Sequence, residues 1–271
     1  MTLIPVIDLL RGQVVRGVRG DRQAYRPIES ALCRSSDPVT VARVLCDHCD
    51  ARQLYIADLD ALMGGRAQVA VLRAVLQALP HIELWLDGGF ADAAAARQTL
   101  GEMAAGGAAA GVHPHPDRHP DPDPLEQAHE HAPAPAPTNS LPPAPIVPVF
   151  GSESLASREA LRGCFEGSAG ARAVLSLDRR DGRRLDAAGC WDAAGAWPQR
   201  VIVMTLERVG SGAGPDVQTL RELQRLSPAT SLIGAGGVRH ADDLAHAAAS
   251  GAAAWLVASA LHDLQLPRVG R

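Results

Sequence analysis

Eight short apolar runs alternate with helix-forming stretches along the 271 residues, and that alternation leaves few architectures open. The runs fall at residues 3–8, 54–60, 83–87, 146–150, 173–178, 200–205, 231–235 and 254–259. A run that is apolar throughout suits a strand buried on both faces, as parallel strands are. Helical stretches are expected at 38–50, 67–79, from 92 onward, up to 164, at 215–226 and at 241–249. The fifth connection, around Gly189 to Pro198, is too short and glycine-rich for a full helix. The expectation is one α/β domain over residues 1–271, a closed (β/α)8 TIM barrel.

The chain also repeats itself. Ile7-Asp8 is followed by Leu-Leu-Arg-Gly12, and Leu177-Asp178 by Arg-Arg-Asp-Gly182. Each strand ends on a carboxylate, then come two loop residues, a polar residue and Gly. Asp87-Gly88-Gly89 matches Ala235-Gly236-Gly237, and Phe150-Gly-Ser152 stands in the place of Val257-Ala-Ser259. Two copies of a four-unit half-barrel account for this pattern. Barrels place their chemistry at the C-terminal ends of strands, where Asp8 and Asp178 fall. A lone strand-end Asp can also serve as a mere cap, and the repetition weighs against that. Glycine pairs there let a phosphate approach the backbone and the next helix, although one pair alone is a weak signal.

Composition narrows the chemistry. The chain has no lysine, which excludes Schiff-base aldolase chemistry, a pyridoxal-phosphate anchor and a P-loop lysine. Anions must be held by Arg, backbone N–H groups and hydroxyls. Arg11, Arg16, Arg19, Arg22 and Arg26 crowd a long loop over residues 12–27, with Tyr25 among them. Arg19 and Arg22 are candidates to close on a phosphate; a solvated loop is the alternative. The glycine-rich stretch 209–215 is flexible enough to act as a lid. The net charge of −4 gives no case for nucleic acid or an acidic membrane. No run is long enough to span a bilayer and no signal peptide is evident, so a cytoplasmic location is expected. Cys46-Asp-His-Cys49 on the first helix has no second ligand pair and reads as packed thiols.

Between 106 and 145 the composition turns to His-Pro, Asp-Pro and Ala-Pro pairs without periodicity. This Pro/His/Ala-rich segment is expected to be a disordered insertion between units three and four. Its histidines, at 113, 115, 119, 129 and 131, suit adventitious rather than physiological metal binding.

Ile4-Pro-Val-Ile-Asp8, Asp58-Leu-Asp60, Ser176-Leu-Asp178, Ser211-Gly-Ala-Gly-Pro215 and Gly236-Gly237 resemble the HisA/HisF family of histidine biosynthesis. The resemblance covers nearly the whole chain outside the insertion. It implies a duplicated half-barrel that binds a substrate with two phosphates and needs no metal or organic cofactor. It implies a catalytic pair, Asp8 as base and Asp178 as acid, with Thr205 at the end of strand six. It implies phosphate loops at Gly88 and Gly89 with Ser152, and at Gly236 and Gly237 with Ser259. Two departures stand out. Asp87-Gly-Gly-Phe-Ala91 replaces the usual GGGIR and sets a negative charge beside the first loop. Ala258-Ser259 replaces the isomerase's Gly-Arg and is closer to the cyclase form. Arg19-Gly-Asp-Arg22-Gln-Ala-Tyr25-Arg-Pro27-Ile28 and Tyr55-Ile-Ala-Asp-Leu-Asp60 resemble a HisA/HisF-related subgroup of methanogens and methylotrophs.

The leading expectation is a HisA-like isomerase that carries out an Amadori-type aldose–ketose shift on a phosphorylated aminosugar, a ProFAR-like bisphosphate. One alternative is a related enzyme of tetrahydromethanopterin or one-carbon cofactor biosynthesis with a different reaction. A cyclase would want a charged gate at the barrel bottom, and Met1-Thr-Leu3 supplies none. Another alternative is a non-catalytic phosphate-ligand-binding subunit. The partner expected is a small phosphorylated substrate, with homo-oligomerisation left open.

Overall fold

A computed structural model describes residues 1–105 and 146–269, so the expected insertion at 106–145 lies outside the described residues. Eight parallel strands form the frame: β1 Thr2–Leu10, β2 Gln53–Asp58, β3 Glu83–Asp87, β4 Ile146–Gly151, β5 Val174–Arg180, β6 Arg200–Thr205, β7 Ser231–Ala235 and β8 Ala254–Val257. Each pairs with the next, and β8 pairs with β1 through Thr2↔Ala254 to Pro5↔Val257, which closes the barrel. In this eight-membered ring β1 and β5 stand opposite each other.

The strands alternate with period two. Inward residues such as Ile4, Tyr55, Trp85, Val149, Ile202 and Leu256 fill the barrel. Outward ones such as Ile7, Ile56, Leu86, Leu177 and Val203 pack beneath the helices. Both sets are apolar because both faces are covered, which is why the strands read as continuous runs.

The helices are α1 Pro38–Cys49, α2 Val69–Ala78, α3 Ala93–Ala105, α4 Arg158–Cys164, α5 Val217–Leu226 and α6 Ala241–Ala249. Their starts follow capping chemistry. Asp37 accepts from the Thr40 amide ahead of Pro38, and Asp216 accepts from the Thr219 amide. Cys46 and Cys49 lie on the buried face of α1, and burial pushes both thiols up to about 12. They are packing groups. After β5 there is only a 3-10 turn, Ala194–Ala196, and after β8 a single turn, Ser259–His262.

One expectation needs correction. Residues 12–27 are not a plain loop. β1 continues past Asp8 to Leu10 and turns through Arg11 (φ 49) and Gly12 (φ 78) into a strand, Gln13–Arg16, antiparallel to it. Two successive left-handed residues make the tight hairpin turn whose twist matches the strands. A further strand, Arg26–Pro27, pairs with Gln13–Arg16 to complete a flap over the barrel mouth. The second half does the same. β5 continues to Arg180 and turns through Asp181 (φ 50) and Gly182 (φ 73) into Arg183–Arg184. The repeated polar-Gly pair after each Asp is thus a hairpin turn.

The N-terminal end of the barrel carries a charged plug, although strand one contributes nothing to it. Glu83 accepts from Trp85 Nε1 at 2.6 Å and from Arg200 at 2.8 Å, and pairs with Arg172 at 2.9 Å. The Arg200 guanidinium lies 4.9 Å from the Trp85 ring centroid.

Candidate active site

A cavity of about 420 Å³ occupies the C-terminal mouth of the barrel. Strand register delivers its carboxylates. Asp8 stands beside Ala57, Ala57 beside Asp87, and Asp178 beside Met204 and then Ala235. Asp8, Asp87 and Asp178 therefore face one another across the mouth with Glu153, Tyr25, Tyr55 and Arg22. The other side is small and backbone-rich, with Gly236, Gly237 and Ser259.

Asp178 is held most firmly. Its Oδ1 accepts from Ser176 Oγ at 2.6 Å, and its Oδ2 from the Glu153 amide at 3.1 Å. Burial, then the Glu153 charge, nevertheless pushes its carboxyl up to about 8. Burial pushes Asp8 up to about 7, with Arg22 pulling the other way. Asp87, driven by burial and Glu153, reaches about 6. Desolvation decides the direction in all three cases, because an ionised carboxyl in this pocket has lost its water. Tyr55 donates to Asp87 Oδ2 at 2.9 Å, and burial among the aspartates holds its phenol well above the usual range.

The flap meets the mouth closely. Gly17 lies so near Asp8 that a Cβ there would come within 2.5 Å of Oδ2. Arg22 pairs with Glu153, and Arg180 of the β5 hairpin donates to the Gly20 carbonyl at 2.7 Å. The stretch predicted as a lid is pinned in turn. Val209 accepts from the Arg19 amide at 2.9 Å, and Gly214 donates to the Gly237 carbonyl at 3.1 Å.

A duplicated barrel with an aspartate at each equivalent strand end now has a counterpart among known proteins. A family model described as histidine biosynthesis protein matches residues 2–109 and 149–267. The chain belongs to the histidine biosynthesis protein family. An uncharacterised protein of Methanocaldococcus jannaschii is 39% identical over 75 residues, 28% of this chain and 33% of that one. A Herpetosiphon aurantiacus protein is 37% identical over 95 residues, 35% of this chain and 36% of that one. A Thermomicrobium roseum protein is 25% identical over 284 aligned positions, 97% of this chain and 93% of that one. The last two are named as imidazole-4-carboxamide isomerases whose names carry two 5-phosphoribosyl groups. The chain thus spans about a third of the first two relatives and nearly all of the third.

The candidate residues divide into two groups. Asp8, Asp178, Arg22, Gly236, Gly237 and Ser259 line the cavity. Thr205, Gly88, Gly89, Ser152 and Arg19 do not. Thr205 Oγ1 donates to Asp216 at 2.8 Å, which helps fix the start of α5. Ser152 is fully buried and bonds to Asp178. Gly88 lies against the Phe90 ring, and Gly89 against the backbone of Leu62. Arg19 is exposed with φ 48 and contributes its amide to the flap contact. Asp58, one of the family pointers, is a brace. It accepts from the Gln68 amide at 2.7 Å and from Gln68 Nε2 at 3.0 Å, while Gln68 also bonds to Gly12 and Leu9 of the first hairpin.

The sequence reading missed Tyr55, Glu153 and Arg180 at the mouth. Tyr55 was within reach, since period two along β2 puts it on the inward face. Arg180 is a mouth residue because β5 runs on past Asp178 into a hairpin, which the sequence alone reads as loop. Among the described residues, no group of three or more His, Cys, Asp or Glu side chains is placed to hold a metal ion. No helix among them is long and apolar enough to cross a membrane.

Proposed function

We propose that this family member is an acid–base isomerase that converts a phosphorylated aldosylamine to its ketose form. The observation that carries the reading is the pairing of Asp8 and Asp178, on opposing strands of one cavity, with carboxyls raised to about 7 and about 8. The higher carboxyl suits an acid and the lower a base near neutral pH. Asp178 protonates the ring oxygen, and the C1–O bond breaks as the nitrogen lone pair forms C1=N. Asp8 removes the C2 proton to give an enolamine. C1 regains a proton as C2 becomes a carbonyl, so the reaction is redox-neutral and takes no electrons from a cofactor.

The phosphate binds at the second-half loops, where Gly236 (φ 75), Gly237 (φ 80) and Ser259 line the cavity. Side chains at the two glycines would run into neighbouring backbone: a Cβ on Gly237 would meet the Gly214 carbonyl at 2.1 Å. The names of the Herpetosiphon and Thermomicrobium relatives supply the first compound to assay, the bis-phosphoribosyl imidazole carboxamide. The test is turnover of a panel of aldosylamine phosphates in deuterium oxide. Ketose formation with solvent deuterium at C1 is expected; no ketose from any member would overturn the reading.

A further inference from the structure

The two halves of the barrel are not equivalent toward anions. In the second half the glycine pair lines the cavity, with Ala235 as the strand-end residue before it. In the first half the strand-end residue is Asp87, and its Oδ1 accepts from the Gly89 amide at 3.2 Å. That amide is one of those a phosphate at this loop would need. The other Asp87 oxygen is taken by Tyr55. Around this loop the cavity presents Asp8, Asp178 and Glu153; Arg22 is already paired to Glu153, and Arg180 donates to the Gly20 carbonyl.

A phosphate brought here would lose the Gly89 donor and meet the Asp87 carboxylate, with Glu153 beside it, in a place with little water. Like charges held at short range in such a setting repel strongly. An ammonium or hydroxyl group would instead find carboxylate acceptors.

We propose that Asp87 is a specificity residue that closes the first-half loop to phosphate, so that the substrate carries one phosphate, at the Gly236–Gly237 side, and an amino or hydroxyl-bearing end at Asp87. This rests on the isomerase reading above and narrows its substrate class. It departs from the two-phosphate substrate that the family resemblance implies.

The test is calorimetric binding to the full chain, which needs no turnover. Inorganic phosphate should titrate to a single equivalent. Ribose 1,5-bisphosphate should bind no more tightly than ribose 5-phosphate. Asp87→Gly should add a second phosphate equivalent and raise bisphosphate affinity by about tenfold or more. Because that variant could disturb β3, Asp87→Asn is the second probe. It keeps the shape and removes the charge, and bisphosphate should gain over monophosphate there too. Two phosphate equivalents in the wild type, or wild-type preference for the bisphosphate by about tenfold, would overturn the inference and leave the isomerase reading standing. No phosphate binding of any kind would sink both.

Discussion

Ser152 and Asp178 hold each other: the Asp178 amide donates to Ser152 Oγ at 2.8 Å, and that hydroxyl donates to Asp178 Oδ2 at 3.3 Å. The serine that follows β4 therefore stands behind the carboxylate on β5. Ser152→Ala would leave a buried amide without its acceptor, a loss of about 1–3 kcal/mol. Urea unfolding should register that loss. Turnover should drop about tenfold as Asp178 loosens, a modest share of what general acid catalysis supplies. Phosphate affinity should stay as it was. A variant of normal stability that no longer bound phosphate would put Ser152 in contact with the ligand instead.

Asp8, Asp87 and Asp178 make stability depend on pH in an unusual sense. Their folded carboxyls stand at about 7, 6 and 8 against an ordinary 3.8, so the folded chain holds protons that the unfolded chain releases. Their contribution is complete below the ordinary value and is lost as pH rises through the raised ones. Thermal melts should therefore fall as pH rises from about 4 to about 8, by about 2–4 °C for each kcal/mol lost, and level off above that. Asp8→Asn should flatten part of that slope. Melting that rose across the window would mean the carboxyls are ionised at ordinary pH.

Arg22 is the cation that holds Asp8 and Asp87 down. Arg22→Gln should let both carboxyls rise, so the acidic limb of the kcat/KM profile, which reports deprotonation of the base, should move to higher pH. Arg22→Lys should largely restore it. An unmoved limb in Arg22→Gln would mean that Asp8 is not the group that titrates there.

The barrel was legible because its strands are buried on both faces and its half-barrel units recur, as Asp8 with Asp178 and Gly88-Gly89 with Gly236-Gly237 show. What the sequence could not display was use. Ser152 and Ser259 occupy matching positions, yet only Ser259 lines the cavity, and Ser152 bonds to Asp178. The difference comes from Asp178 lying next to Ser152 across the sheet, a contact 26 residues apart in the chain. The glycine pairs also look alike as text. Only the fold reveals that Asp87 bonds the Gly89 amide while Phe90 covers Gly88. The hairpins were readable in principle: Arg11-Gly12 and Asp181-Gly182 are polar-Gly pairs suited to tight turns.

The most direct test of the account is steady-state kinetics of Asp8→Asn, Asp178→Asn and the double variant, on the aldosylamine phosphate that the wild type converts. Each single substitution keeps the side chain's size and removes its proton transfer. The account predicts a fall in kcat of about 10²–10⁴-fold in each, with substrate affinity nearly unchanged. It predicts a double variant scarcely slower than the poorer single one, because an acid and base acting together are not additive. Near-normal kcat in either single variant, or loss of binding in place of rate, would contradict it.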